Sequence, residues 1–339
     1  MKLTPVSALP HGGDLAAAHR MFPDAPQPFL DLSTGINPFA YPLPPLPVEL
    51  FERLPDSDAL ARLTAAAARY YGAPSPAHVT AAPGTQSLLP LVARLRRPGR
   101  AVILAPTYAE HARVLVEAGH AVEETSDADR LGAGDIAVVV NPNNPDGRLL
   151  PSTQLETLRG ALAARGGLLV VDEAFMDVAA PGVSLAPRVE APSVVVLRSF
   201  GKFFGLAGLR LGFALADPAT AAALSAMLGP WAVSGPALQI GGTALDDDAW
   251  AAMMRTRLAD SAAHLDAILQ RAGCRVVGGT ALFRLAECAD ASAVRDHLGW
   301  RGIIVRSFAA QPSWLRFGLP GGDADWVRLE AALDDMGAA

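Results

Sequence analysis

The sequence is poor in several features that would fix its chemistry at a glance. It has two cysteines, Cys274 and Cys288, in 339 residues. They fit neither a disulfide framework nor a metal spacing, and a reducing compartment suits them best. The seven histidines include no pair at metal-ligand spacing on a plausible helix face, so a zinc hydrolase is disfavoured and no metal is expected. There is no basic tract and the net charge is −6, which argues against a nucleic acid partner. No apolar run approaches membrane-spanning length, and Met1 to His11 lacks the apolar core of a signal peptide. The expectation is a soluble, cytoplasmic protein with no membrane association. A Gly-x-Ser-x-Gly elbow, a Walker-type loop and internal repeats are also missing, which removes two familiar routes to catalysis.

What is present is a well-buried globular chain. Hydrophobic residues make up 51% and charged residues 18%, too few charges for disorder. The length suits one large domain with a smaller companion. Short runs apolar on both faces, at Ala101 to Leu104, Ile136 to Val140, Leu168 to Val171, Val194 to Leu197 and Leu211 to Ala214, read as strands. Between or before them, Asp58 to Tyr71, Ser87 to Leu95, Ala109 to Ala118 and Thr153 to Ala164 read as helices. That alternation predicts an α/β fold with a mostly parallel sheet covered by helices. The proline-dense stretch Pro38 to Pro47 reads as an extended arm. Beyond Asp217 a helix over Pro218 to Leu228, a long helical region over Pro236 to Ala272 and several short strands suggest an α+β unit. We therefore expect a large domain over 36–231 and a smaller one over 232–339, completed by the N-terminal segment 1–35.

The stretch from Ser199 to Gly212 carries the strongest chemistry. Its single lysine, Lys202, lies among Phe200, Phe203, Phe204 and Leu206, with Ser199 three residues before it and Arg210 eight after. Desolvation favours the neutral amine that a Schiff base with an aldehyde requires. Serine and arginine suit a phosphate, and an aldehyde plus a phosphate describes pyridoxal 5′-phosphate. A flexible glycine loop with an incidental lysine is the alternative. Polar residues also collect at the carboxyl ends of the expected strands, where ligands gather in such sheets. Asp172 could hold the proton on a pyridine nitrogen, or merely end a strand. Asn144 could donate to a phenolic oxygen, or belong to a proline-rich turn. Tyr108 could stack on a flat ring, or pack on the sheet. Gly84, Thr85 and Gln86 open a helix and could seat a phosphate. Arg306 and Arg316 each end or interrupt an apolar strand and suit a substrate with two anionic groups, internal ion pairs being the alternative.

Asn141-Pro142-Asn143-Asn144-Pro145-Asp146-Gly147, Asp172-Glu173-Ala174-Phe175 and Ser199-Phe200-Gly201-Lys202 through Arg210 and Gly212 resemble the motifs of fold-type I pyridoxal-phosphate enzymes, the aminotransferase superfamily. The resemblance covers nearly the whole chain. It implies a homodimer in which Lys202 carries the cofactor, Asp172 pairs with the ring nitrogen, Asn144 meets the phenolic oxygen and Tyr108 stacks on the ring. It assigns Gly84, Thr85, Gln86, Ser199 and Arg210 to the cofactor phosphate, and Arg316 to the substrate carboxylate.

Within the superfamily, His11-Gly12-Gly13-Asp14, the stretch Leu30 to Pro38 and Asp172 to Phe175 are similar to the threonine-phosphate decarboxylases of cobalamin biosynthesis. That likeness implies decarboxylation of a small phosphorylated amino acid, with His11, Ser33, Gly35, Asn144 and Arg306 at the substrate. A histidinol-phosphate aminotransferase is the other reading, and a non-catalytic binding protein on this fold a third. Two positions depart from many relatives: Phe175 and Leu54 stand where those have tyrosines.

Overall fold

The structure is a computed structural model and describes residues 12–337; His11 lies outside them. Along the chain come α1 (Leu15–Met21), β1 (Leu30–Leu32), α2 (Glu49–Glu52), α3 (Ser57–Tyr71), β2 (Val79–Ala82) and α4 (Thr85–Ala93). Then follow β3 (Arg100–Leu104), α5 (Glu110–Glu117), β4 (Ala121–Thr125), β5 (Ile136–Val140), α6 (Ser152–Ala163) and β6 (Leu168–Asp172). Next are β7 (Val194–Ser199), α7 (Phe200–Phe203), β8 (Gly212–Ala216), α8 (Pro218–Leu228), α9 (Gly235–Leu245) and α10 (Asp248–Arg271). The chain closes with β9 (Arg275–Thr280), β10 (Phe283–Glu287), α11 (Ala291–Trp300), β11 (Ile303–Phe308), β12 (Gln311–Gly318) and α12 (Asp323–Gly337). Among the described residues these elements form two compact units, a larger one of residues 36–263 and 278–282 and a smaller one of residues 12–35, 264–277 and 283–337.

In the larger unit seven strands run in the order β2-β8-β7-β6-β5-β3-β4. The strands from β7 to β4 are parallel, and β8 is antiparallel to both its neighbours. Strands β5, β6 and β8 are buried along their whole length, as their unbroken Val, Leu and Ala runs require when helices cover both faces. Leu88, Leu89 and Val92 of α4 and Val114 and Leu115 of α5 pack there against Ile103, Val138, Val170 and Val195. Helix α3 starts where Asp56 accepts from the Ala59 N–H at 2.6 Å and stops at Gly72, whose φ of 76° is left-handed. Two strands were not legible. β2 is only four residues, and β4 carries two glutamates on a partly exposed edge.

The helical region expected over 236–272 is two helices. Asp247 accepts from the Trp250 N–H at 2.9 Å and restarts the helix, an aspartate side chain competing with the backbone ladder. The division between units also falls elsewhere than expected, because residues 232–263 belong to the larger unit. Helix α9 buries Ala237, Leu238, Ile240 and Ala244, and its Gly241 leaves room that Leu63 of α3 and Leu211 fill.

The smaller unit holds a five-stranded sheet in the order β1-β11-β12-β10-β9. β1 is parallel to β11, while β12 is antiparallel to both β11 and β10. Cys274 precedes β9 and Cys288 follows β10, and their sulfurs are bonded with Cα atoms 4.5 Å apart. This corrects the reading that they match no disulfide framework. A lone pair with a separation of 14 has no signature, and only the pairing of the two strands brings the ends together. Among the described residues no helix is long and apolar enough to cross a membrane. No group of His, Cys, Asp and Glu there could hold a metal ion.

Candidate active site

In the larger unit β7 passes directly into α7, so Lys202 leaves the sheet one turn beyond its carboxyl end. The turn rests on aromatic rings. Phe200 stacks on Phe204 at 4.3 Å, Phe204 on Trp250 at 5.4 Å, and Phe203 meets Trp250 edge-on. Its backbone is tied to the segment after Ile36. The Asn37 N–H donates to the Lys202 carbonyl at 2.9 Å, and Asn37 Nδ2 to the Phe203 carbonyl at 2.7 Å. Gly205 makes that approach possible: its φ is +67°, and a Cβ would stand 2.7 Å from both the Asn37 carbonyl oxygen and Ala40 Cα. Lys202 Nζ lies 5.9 Å from the centre of the buried Phe175 ring.

Asp172 ends β6 and is 6% exposed. One oxygen meets His111 Nε2 at 2.9 Å, and the other accepts from the Ala174 N–H at 3.1 Å. Both partners orient the carboxylate. His111 was not identified in the sequence, although it stands in the first turn of α5, three residues after Tyr108, whose ring meets it edge-on. Behind Asp172, Glu173 is fully buried against Arg198, Ser184 Oγ and the Leu185 N–H. Burial pushes its carboxyl up against the pull of those three partners.

The phosphate candidates converge on one place. Ala82 and Ser199 are both register partners of Gly212, so β2, β8 and β7 reach the same level there. Gly84 precedes α4 with a φ of +84°, and no side chain caps this helix start. A Cβ on Gly84 would stand 2.8 Å from Arg210 Nη2. The arginine itself turns at a φ of 55°, uncommon for a residue other than glycine. Gly84, whose own N–H donates to the Ala82 carbonyl at 2.7 Å, thus lines with Thr85, Ser199 and Arg210 a cradle made of a helix start, a hydroxyl and a guanidinium.

Gln86 points elsewhere. Its Nε2 donates to Glu110 at 2.6 Å and its Oε1 accepts from Tyr108 Oη at 3.1 Å. Its backbone N–H stays with the helix start, but its side chain belongs to the tyrosine. Tyr108 is pushed up to about 12, first by burial and then by Glu110 and Asp172, against Arg113 and Arg210. Asn143 ties the neighbouring loops together, accepting from Thr107 Oγ1 at 2.6 Å and donating to the Pro106 carbonyl at 2.9 Å. Asn144 follows it, half-buried.

In the smaller unit Arg306 of β11 and Arg316 of β12 are direct cross-strand partners. Ser33 follows β1, whose Leu32 pairs with Val305, so it lies on the same row. Arg316 is 7% exposed and donates to the Ser33 carbonyl at 2.7 Å. Burial first, and Arg306 second, push it down to about 10, with Asp31 acting the other way. Ser33 Oγ donates to Asp31 at 2.5 Å and accepts from the Gly13 N–H at 2.8 Å. Gly35 is buried two residues on. Like charges directly opposed across a ladder destabilise it, and an anion between them reverses that sign.

The profile of the aminotransferase class I and II family matches residues 49–329. A threonine-phosphate decarboxylase of Pseudomonas aeruginosa is 44% identical over 328 residues, which is 96% of this chain and 97% of that one. A threonine-phosphate decarboxylase of a Sinorhizobium species is 44% identical over 333 residues, covering 96% and 98%. Among solved structures, the histidinol-phosphate aminotransferase of Sinorhizobium meliloti, in complex with pyridoxal-5′-phosphate, has a TM-score of 0.81 at 25% identity, covering 100% of this chain and 98% of that one. The chain belongs to the class I and II aminotransferase family.

Proposed function

We propose that this protein is a pyridoxal-phosphate enzyme that decarboxylates L-threonine O-3-phosphate to (R)-1-amino-2-propanol O-2-phosphate, a step of cobalamin biosynthesis. The observation that carries the choice of reaction is the 44% identity over 96% of the chain with the Pseudomonas aeruginosa decarboxylase, against 33% over 85% of the chain with a histidinol-phosphate aminotransferase. The residues present fit the cofactor. A Cβ would fill the cradle at Gly84, beside the Arg210 guanidinium, and the chain has one lysine besides Lys2, namely Lys202.

In this reading the turn at Gly84 and the N–H groups of Thr85 and Gln86, with Ser199 and Arg210, hold the cofactor phosphate. Bound, the cofactor supplies an aldehyde for the substrate amine and an electron sink for the carbanion that loss of carbon dioxide leaves. Asp172, fixed by His111 and the Ala174 N–H, keeps the proton on the ring nitrogen. Asn144 donates to the phenolic oxygen, and Tyr108 covers the ring. Lys202 delivers a proton to Cα of the substrate. Arg316 takes the carboxylate, and Arg306 with His11, Ser33 and Gly35 the phosphate.

We also propose that two copies associate through the arm and the segment that follows it, which together expose Leu43, Val48, Phe51 and Leu54, an apolar series that suits a second copy better than water. Sedimentation of a Phe51→Glu variant should then show lighter particles than wild type.

The reaction is tested by incubating the purified protein with threonine phosphate, with and without a keto acid. Carbon dioxide release without the keto acid is expected. Faster amino-group transfer from histidinol phosphate to 2-oxoglutarate would replace this reading with the aminotransferase one.

A further inference from the structure

Glu110 is a carboxylate at the first turn of α5, only 4% exposed. Arg113 holds it with a fork: Nε lies 3.0 Å from both oxygens and Nη2 lies 2.7 Å from Oε2. A carboxylate so paired can only accept hydrogen bonds. Gln86 must therefore turn its NH2 toward Glu110, where Nε2 sits at 2.6 Å. That leaves the amide oxygen facing Tyr108 at 3.1 Å, and an amide oxygen has no proton to give. The Tyr108 hydroxyl is then bound to donate. A single acceptor-only group thus sets the sense of every hydrogen bond from Arg113 to Tyr108.

We propose that Glu110 is a positioning residue for the reaction: acting through the Gln86 amide, it commits the Tyr108 hydroxyl as a donor to Gln86, holds the ring in one orientation and withholds its proton from the bound molecule. This rests on the reading of Tyr108 as the residue that covers the cofactor ring. It assigns Tyr108 to shape and not to proton transfer, which leaves Lys202 as the acid. Among the other groups acting on Tyr108 are Asp172, Arg113 and Arg210, with the His111 ring edge-on at 6.0 Å. Charges of both signs face it from several elements, and the bond it donates to Gln86 Oε1 at 3.1 Å sets the direction of its hydroxyl.

Glu110→Gln keeps the shape and removes the constraint. A glutamine can donate as well as accept, so the Gln86 amide is free to reverse and present NH2 to Tyr108. Two readouts test this. The first is the ring Cζ carbon resonance of Tyr108 in 13C-labelled protein, assigned by its loss in Tyr108→Phe. It should move or split in Glu110→Gln, while those of Tyr41, Tyr70 and Tyr71 stay in place. The second is a double-mutant cycle on cofactor affinity and on the induced circular dichroism of the bound cofactor. Glu110→Gln should weaken the cofactor about tenfold with Tyr108 present, the scale of one hydrogen bond, and under about twofold in the Tyr108→Phe background. An unmoved Tyr108 resonance, or an effect of Glu110→Gln equally large without the hydroxyl, would overturn the proposal. Absence of any cofactor signal would count against the cofactor reading instead, and the tyrosine resonance would still decide the role of Glu110.

Discussion

In the larger unit each carboxylate near Lys202 stands beside an opposite or hydrogen-bonding partner: Asp172 on His111, and Glu110 on Arg113 and Gln86. In the smaller unit Arg306 and Arg316 stand opposite one another in register, and Arg316 is nearly fully buried. The first region is organised before any ligand arrives, by backbone N–H groups, glycines and matched pairs. The second sets two guanidinium groups side by side, with Asp31 acting on Arg316, and an anion there would gain from both arginines. Changes in the first region should therefore alter what is retained, and changes in the second what is preferred.

The largest expected effect lies in the first region. Lys202→Ala should lower turnover by roughly 10²- to 10⁴-fold, the usual contribution of a positioned acid or base. Borohydride should fix the cofactor to Lys202 in the wild type and fix none in the variant. Label recovered on Lys2 instead would move the site elsewhere. Next come the arginines of the second region. Arg316→Ala should lower kcat/KM for threonine phosphate by about tenfold to a hundredfold, one charge-assisted hydrogen bond. Arg306→Ala should remove most of the preference for threonine phosphate over threonine. Neither change should alter the visible spectrum of the bound cofactor, and a bleached variant would erase the distinction between the two regions.

Arg210→Ala belongs to the first region and should weaken cofactor binding by about tenfold, because its guanidinium is solvent-exposed. Substrate preference should not change. If titration with the cofactor shows equal affinity, the cradle at Gly84 does not hold a phosphate. The smallest effect is on stability. Gly205→Ala forces a Cβ into a left-handed turn, which costs about 1–2 kcal/mol, and into contact with Ala40. A melting temperature equal to wild type would mean that the segment after Asn37 can move aside.

Much of this was legible because it is local. The lysine stretch, the cap at Asp56 with the stop at Gly72, and the wholly apolar strands all declare themselves within a few residues. What escaped depends on residues brought together from afar. His111 and Asp172 are 61 positions apart, and nothing around either one announces the other. Gln86 looked like a phosphate ligand by position, yet its side chain is claimed by Glu110 and Tyr108 across a gap of more than twenty residues. The cysteine pair and the break at Asp246-Asp247 follow the same rule, since strand neighbours and capping side chains decide them.

The most direct measurement is the mass of the product formed from threonine phosphate in heavy water with no keto acid present. The account predicts aminopropanol phosphate that keeps its nitrogen and carries one carbon-bound deuterium where the carboxylate was, with one carbon dioxide released for each product. A product that has lost its nitrogen, or a reaction that proceeds only when a keto acid is added, would contradict it.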